Sequence, residues 1–267
     1  MQVVLLILLA AFQVVMTDYL ADNPDFYQLD AYTWESDEFR AMKLGKAAAF
    51  ENLDMNALTS VMIAQEYDLT DLGEEAFEAD PAIAARRPAE YRKLLHAYEA
   101  VFRDLRYFPV PKSSRPETPD VVFENSWMNR RTYGGERGHE GCDIMGLERG
   151  RGFYPVVSMT DGVVEKVGWL EKGGWRIGIR APSGLYLYYA HLYDYSRTWN
   201  EGDKVRAGEL LGFMGDSGYS AVEGTVGNFD VHLHVGLYLR TDHYEEMSVN
   251  PYWVLRYLER RRLVYQY

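Results

Sequence analysis

The sequence predicts a mainly β domain, an antiparallel sheet or barrel-like fold, preceded by an α-helical segment. Three observations carry this expectation. From residue 121 onward, short runs rich in Val, Ile, Leu and Tyr are broken by glycine-containing turns. Between Thr17 and Arg106 the apolar residues fall instead at helical spacing, and the stretch is acidic, with 19 Asp+Glu against 9 Lys+Arg. A proline-rich stretch parts the two textures: four of the ten prolines lie between Pro109 and Asp120. The expected organisation is a signal or membrane-anchor segment over 1–21, an acidic helical domain over 22–108, a linker over 109–120, a β-rich domain over 121–248 and a C-terminal helix over 249–267.

The opening run MQVVLLILLAAFQVVM is apolar from Val3 to Met16 except for Gln13. An export signal has an apolar core of about 7–15 residues, and a membrane-spanning helix needs about 20. Extending this run to a full span must cross Asp18, and no Lys or Arg precedes it, a departure from both patterns. An apolar start followed by an acidic stretch points to export, with the segment either cleaved or kept as a membrane anchor. The expected location is extracytoplasmic, secreted or held at the cell surface. A buried globular helix is the competing reading.

The helical part has three recognisable pieces. ESDEFRAMKLGKAAAFENL predicts a helix beginning near Ser36, with Asp37 and Glu38 in its first turn. MNALTSVMIAQEY predicts a second, with Leu58, Met62 and Gln65 about a turn apart. PAEYRKLLHAYEAVFRDL predicts the longest, with Pro88 in its first turn and Tyr91, Leu94, Leu95, Tyr98, Val101, Phe102 and Leu105 along one face. His96 lies off that face and reads as a surface or boundary histidine. In the β part, YPVVSMTDGVVEKVGWL, WRIGIRAP, GLYLYYAHLY, GELLGFMGDSG and FDVHLHVGLYL are strand-like, with TDG and PSG as hairpin turns. NPYWVLRYLERRRL, Asn250 to Leu263, predicts the last helix, capped by Asn250.

The net charge of −12 argues against nucleic acid as a partner, because phosphate binding needs a basic face. A single cysteine excludes an internal disulfide. It leaves the compartment open, because a chain this long can bury a sufficient core without one.

Four of the six histidines fall in three short motifs of the β part: His139 in GHEGCDI, His191 in YYAHLY, and His232 with His234 in VHLHVG. Alternation along a strand sets His232 and His234 on one face and Leu233 on the other, which suits metal chelation or a ligand-plus-base pair, or an exposed strand with two incidental histidines. His139 and Asp143 cannot share a helix face across Gly138 and Gly141, but a glycine-bent loop can converge them. Cys142 has acidic neighbours that raise a thiol's pKa, which argues for a packed bystander over a nucleophile.

The pieces RGHEGCDI, YPVVSMTDGVVEKVGW, GLYLYYAHL, EGDKVRAGELLGFMGDSG and VHLHVGLYL occur in an order and spacing that resembles the lysostaphin-type (LytM-like) zinc endopeptidases of peptidoglycan, peptidase family M23, over residues 121–240. The resemblance implies a duplicated-hybrid-motif type of β fold. It implies one zinc ion per chain held by His139, Asp143 and His234, with His191 and His232 as the non-ligand histidines beside the reacting water. It implies hydrolysis of peptide cross-links in bacterial peptidoglycan. The sequence departs from the family at Val235 and Gly236, where Phe-Glu is common, and over Ser217–Asp230, where the segment is longer and reshapes one wall of the groove. The segment before Pro109 and the last helix carry no match. Tyr188, Tyr189, Trp169 and Trp175 read either as groove lining or as sheet packing.

There is no H-E-x-x-H and therefore no helix-borne Glu base; His191 and His232 are the candidates for general base and oxyanion donor. A non-cleaving wall- or partner-binding module of the same fold is the alternative reading. A cytoplasmic β domain with a structural zinc is a third, disfavoured because closed structural sites normally use four ligands including Cys.

Overall fold

Two backbone periods shape this chain, and each dominates a different part of it. The computed structural model describes residues 2–267. Contacts within it separate two units: residues up to Phe39 with Lys43–Tyr98, and Arg40–Met42 with Glu99–Tyr267. The α-helices are α1 (Gln2–Asp22), α2 (Asp25–Gln28), α3 (Asp37–Arg40), α4 (Met55–Ala64), α5 (Pro81–Arg86), α6 (Pro88–Phe102) and α7 (Pro251–Leu258). The strands are β1 (Lys112–Ser113), β2 (Val122–Phe123), β3 (Arg130–Arg131), β4 (Arg137–Gly138), β5 (Cys142–Met145), β6 (Pro155–Val157), β7 (Gly162–Leu170), β8 (Gly174–Arg180), β9 (Tyr186–Tyr195), β10 (Lys204–Val205), β11 (Leu210–Met214), β12 (His232–Leu239), β13 (Met247–Val249) and β14 (Val264–Tyr265).

The first unit is helical. Its core gathers Phe39, Leu58, Met62, Ile63, Leu94 and Tyr98, all buried. The Asp54 carboxylate caps α4 by accepting from the Ala57 N–H at 2.8 Å, and the Asp80 carboxylate caps α5 from Ala82 at 2.8 Å. α4 ends where Glu66 and Tyr67 take positive φ values of 50° and 62°. α6 keeps its apolar stripe inward and leaves His96 exposed. α1 is different: it has no buried residue, which removes the buried-helix reading of this run. By length and composition it is able to cross a membrane.

The second unit is built on an antiparallel sheet in the order β10-β7-β8-β9-β12-β5-β2, with β11 joining β9 to β6 and β13 pairing with β12. Side chains alternate along the paired stretches of the long strands, which register shifts interrupt between Val164 and Lys166 and between Trp175 and Ile177. Ile177 and Ile179 of β8, Leu187 and Tyr189 of β9, and Leu233, Val235 and Leu237 of β12 are buried on one face. Each such side chain taken out of water is worth about 1.5–3 kcal/mol, and this row fixes the register. The opposite face carries Arg176 and Gly178, Tyr186 and Tyr188, and His234, Gly236 and Tyr238. Pairing sets Gly178, Tyr188 and Gly236 in one row, and His234 with Ala190 in the next. The tyrosines lie down over glycines: a Cβ on Gly178 would overlap the Tyr186 hydroxyl, and one on Gly173 the Tyr188 hydroxyl.

The structure corrects three sequence expectations. The helix expected to run on from Ser36 stops after Arg40, because Met42 and Gly45 take positive φ; Gly45 lies against the backbone of Leu69 and Thr70, where no Cβ fits. Residues 109–120 are not a free linker: Val110 is fully buried, and β1 pairs in parallel with β14. The last helix ends at Leu258, not Leu263. Beyond it the Arg262 guanidinium binds the Val110 and Pro111 carbonyls and the Asp120 carboxylate, and the chain continues as β14.

Candidate metal centre and cleft

Strand pairing assembles the centre. β5 lies antiparallel to β12 with Asp143 directly opposite His234 and Cys142 opposite Val235. Directly opposed residues share a face, so Asp143 and His234 point together while Cys142 goes to the core. Cys142 is fully buried, and its thiol donates to the Glu124 carbonyl at 3.3 Å. Burial first, then the charges of Asp143 and Glu124, push this thiol far above its ordinary pKa, which leaves it no nucleophilic role.

His139 reaches the pair from the loop between β4 and β5. Its Nε2 lies 3.0 Å from His234 Nδ1 and 3.1 Å from Asp143 Oδ1, and His234 Nδ1 is 3.0 Å from the same oxygen. Gly141 makes this approach possible, since a Cβ there would overlap the His234 ring. His232 Nε2 stands 3.9 Å from Asp143 Oδ1. The ring of His191 is 4.7 Å from that of His232 and 5.9 Å from that of His234. All five residues singled out from the motifs therefore meet around one point.

Backbone carbonyls set the tautomers. A carbonyl only accepts, so His191 Nδ1 donates to Ser217 O at 2.8 Å and His232 Nδ1 to Asp230 O at 2.7 Å; His139 Nδ1 lies between Ser126 O at 3.0 Å and the Arg131 guanidinium at 3.1 Å. The His191 and His232 rings thereby keep their Nε2 lone pairs free, the arrangement that prepares imidazole for a metal or a proton. His191 is held in place by strain as well. Its φ is 61°, a conformation costing on the order of 1–3 kcal/mol in a side-chain-bearing residue, and its N–H donates to Gly173 O at 2.8 Å.

Burial, reinforced by the neighbouring charges of His232 and His234, pushes the His191 pKa well below its ordinary value; burial also lowers that of His234, against the raising effect of Asp143. Burial alone would raise the Asp143 carboxyl. Its hydrogen bonds to His139 and His234 and the nearby imidazole charge outweigh that and hold it far below the usual carboxylate range. Asp143 is therefore the ionised carboxylate of the set. Protons alone cannot bridge His139 Nε2, His234 Nδ1 and Asp143 Oδ1 pairwise at 3.0–3.1 Å, whereas a divalent cation answers all three. The donor set fits a metal, and these are the residues that would hold it.

Sequence reasoning missed several neighbours. Arg131, on β3, donates to Asp143 Oδ2 at 2.7 Å, and the same nitrogen lies 3.1 Å from His139 Nδ1, so it braces both the carboxylate and that ring. The only local signal was the hairpin Arg130–Gly138 preceding His139. The long segment Ser217–Asp230 contributes Tyr219 and Phe229. Phe229 lies 4.7 Å from the His191 ring, and Tyr219 stacks on Tyr133 at 4.6 Å.

The centre opens into a cleft of about 620 Å³, lined by Tyr186, Tyr188 and Tyr238 along the sheet and by Arg137, Lys172 and Arg176 among its charged groups. Of the aromatics weighed from sequence, Tyr188 lines this cleft, with its ring edge-on to His234 at 5.8 Å. Tyr189 is buried under the sheet. Trp169 and Trp175 pack on each other at 5.5 Å.

Comparison with known proteins gives one family match and three relatives. The model of peptidase family M23 matches residues 137–251. A structure solved from Ruminococcus gnavus ATCC 29149, which carries the provisional name glycyl-glycine endopeptidase lytM, is 41% identical; the match covers 88% of this chain and 95% of that one, with a TM-score of 0.76. That coverage takes in much of the helical segment, where the sequence offers no motif. The L-Ala--D-Glu endopeptidase of Bacillus subtilis (strain 168) is 39% identical over 175 residues, 64% of this chain and 49% of that protein. The glycyl-glycine endopeptidase ALE-1 of Staphylococcus capitis is 33% identical over 82 residues, 30% of this chain and 20% of that protein. The chain thus spans about half the length or less of these curated relatives.

Proposed function

The chain belongs to peptidase family M23, and from that premise we propose that it is a zinc metalloendopeptidase of bacterial peptidoglycan peptides. The observation that carries this reading is the convergence of His139, Asp143 and His234 at 3.0–3.1 Å with two further histidines beside them. Three N and O ligands with an open remaining position are the pattern of catalytic rather than structural zinc. When bound, zinc would acidify water and polarise the scissile carbonyl.

The chain's own residues do the rest. His139, Asp143 and His234 would hold the ion, and Arg131 fixes the Asp143 carboxylate by donating to its Oδ2. His191 and His232 each keep Nδ1–H on a carbonyl and offer Nε2 to the cleft, so either can take a proton from the attacking water. The imidazolium so formed stabilises negative charge on the carbonyl oxygen and returns its proton to the leaving amine. The sheet floor and its tyrosines shield one side of the reaction from water. The bonds named for the relatives, alanyl–glutamyl and glycyl–glycyl, are both candidates at this stage. α1 serves as an export signal or membrane anchor and sets the activity outside the cytoplasm.

The test is direct. Purified protein should take up one zinc per chain, and digestion of purified wall should release new peptide N-termini. His139→Ala and His234→Ala should lose both. Absence of zinc in a preparation kept with metal would sink the proposal. Zinc uptake with no new ends but firm retention on wall would move the reading to a non-cleaving binding module.

A further inference from the structure

We propose that Arg176 makes the β8 side of the cleft a carboxylate-binding subsite, so that the peptide taken by this protein carries a free carboxylate near the scissile bond. This rests on the peptidase reading above and narrows it.

Arg176 lies on the cleft face of β8 and lines the cleft. Its NH1 is buried with no hydrogen-bond partner, and no carboxylate among the described residues pairs with it. A desolvated guanidinium nitrogen left without an acceptor is costly, and proteins rarely retain one without a use. Arg180, four residues along the same strand and face, shows the contrast. It holds Glu165 through both Nε and NH2 at 2.6 Å, so its charge is already answered. The strand matches one arginine and leaves the other facing the cleft.

The surroundings agree. In a chain of net charge −12, the cleft collects Arg137, Lys166, Lys172 and Arg176 against Glu140 and Glu246, apart from the ligand Asp143. Gly178, two residues from Arg176 on the same face, adds no side chain of its own, and the Tyr186 ring covers it as part of the cleft lining. A guanidinium with free N–H groups suits a planar carboxylate, which it binds through two parallel hydrogen bonds.

Distance sets which residue of the substrate is read. β8 is two strand spacings from β12, roughly 10 Å, and an extended peptide advances about 3.3 Å per residue. The carboxylate therefore belongs to a residue within about three of the scissile bond. An alanyl–glutamyl peptide supplies such a group; a run of glycines does not.

The experiment uses paired peptides: an L-alanyl-D-glutamyl peptide with its glutamyl carboxylate free, and the same peptide with that group as a carboxamide. Binding is measured calorimetrically on the metal-free protein, and kcat/KM on the zinc-loaded protein, for wild type, Arg176→Gln and Arg176→Lys. Wild type is expected to bind the carboxylate form roughly 10- to 100-fold more tightly. R176Q should bind both forms equally at the weaker level, and R176K should recover part of the preference. Equal binding of the two forms by wild type, no binding of either, or an undiminished preference in R176Q would overturn the proposal. The wild-type comparison needs no variant to fold. If the carboxylate preference appears in binding while no peptide is cut, the subsite stands and the peptidase reading fails.

Discussion

Gly141 is placed where a side chain cannot go, between the loop that brings His139 and the ring of His234. Its role is close approach rather than an unusual backbone angle, since it is not among the glycines with positive φ. Gly141→Ala should therefore displace His234 and weaken zinc binding about 10–100-fold. Far-ultraviolet circular dichroism should be unchanged. Competition with a chromophoric chelator measures the affinity, and an unchanged affinity would remove this account. From sequence, the glycines of GHEGCDI were legible as loop-formers but not as spacers, because the neighbour that needs the space lies 93 residues away at His234. Cys142 was legible as a bystander from its acidic neighbours, and strand pairing gives the further reason, sending it to the face opposite Asp143.

At the scale of elements, β12 shows how much alternation can say. HLH fixed that His232 and His234 share a face over a buried Leu233. It could not say that β5 would lie alongside with Asp143 opposite His234, because pairing register is set by which apolar faces must be covered together. The ion pair between β7 and β8 permits a pH test. Glu165 has its carboxyl pKa lowered, chiefly by the hydrogen bonds from Arg180. A depressed folded-state pKa means the contribution is full above the unfolded value of about 4.3 and fades as pH falls through the folded one. Glu165 is 32% exposed, so solvent screening limits the pair to roughly 0.5–1 kcal/mol despite its two bonds. Glu165→Gln should lower stability by that amount at pH 7 and leave it unchanged at pH 3, read from urea unfolding at each pH. An equal loss at both would mean that the charge is not what Arg180 recognises.

For the whole molecule, α1 is the element least tied to a core. None of its residues is buried, so deleting residues 2–22 should shift the thermal midpoint of the remainder by no more than about 2 °C. The chain with α1 should co-sediment with lipid vesicles, and the shortened chain should stay in solution. Vesicle binding that survives the deletion would assign membrane attachment elsewhere.

The sequence by itself determined the family and the alternation of helical and β texture, and it singled out five residues that the fold brings together. Those depend on residue identity and on periods of a few residues. Only the tertiary structure decided that 109–120 is packed rather than free, that Arg131 grips Asp143 and that Arg176 stands unanswered in the cleft. Each of these is a meeting, or a missing partner, between segments far apart in the chain. No local pattern carries it, because register and burial are settled only when the strands pair.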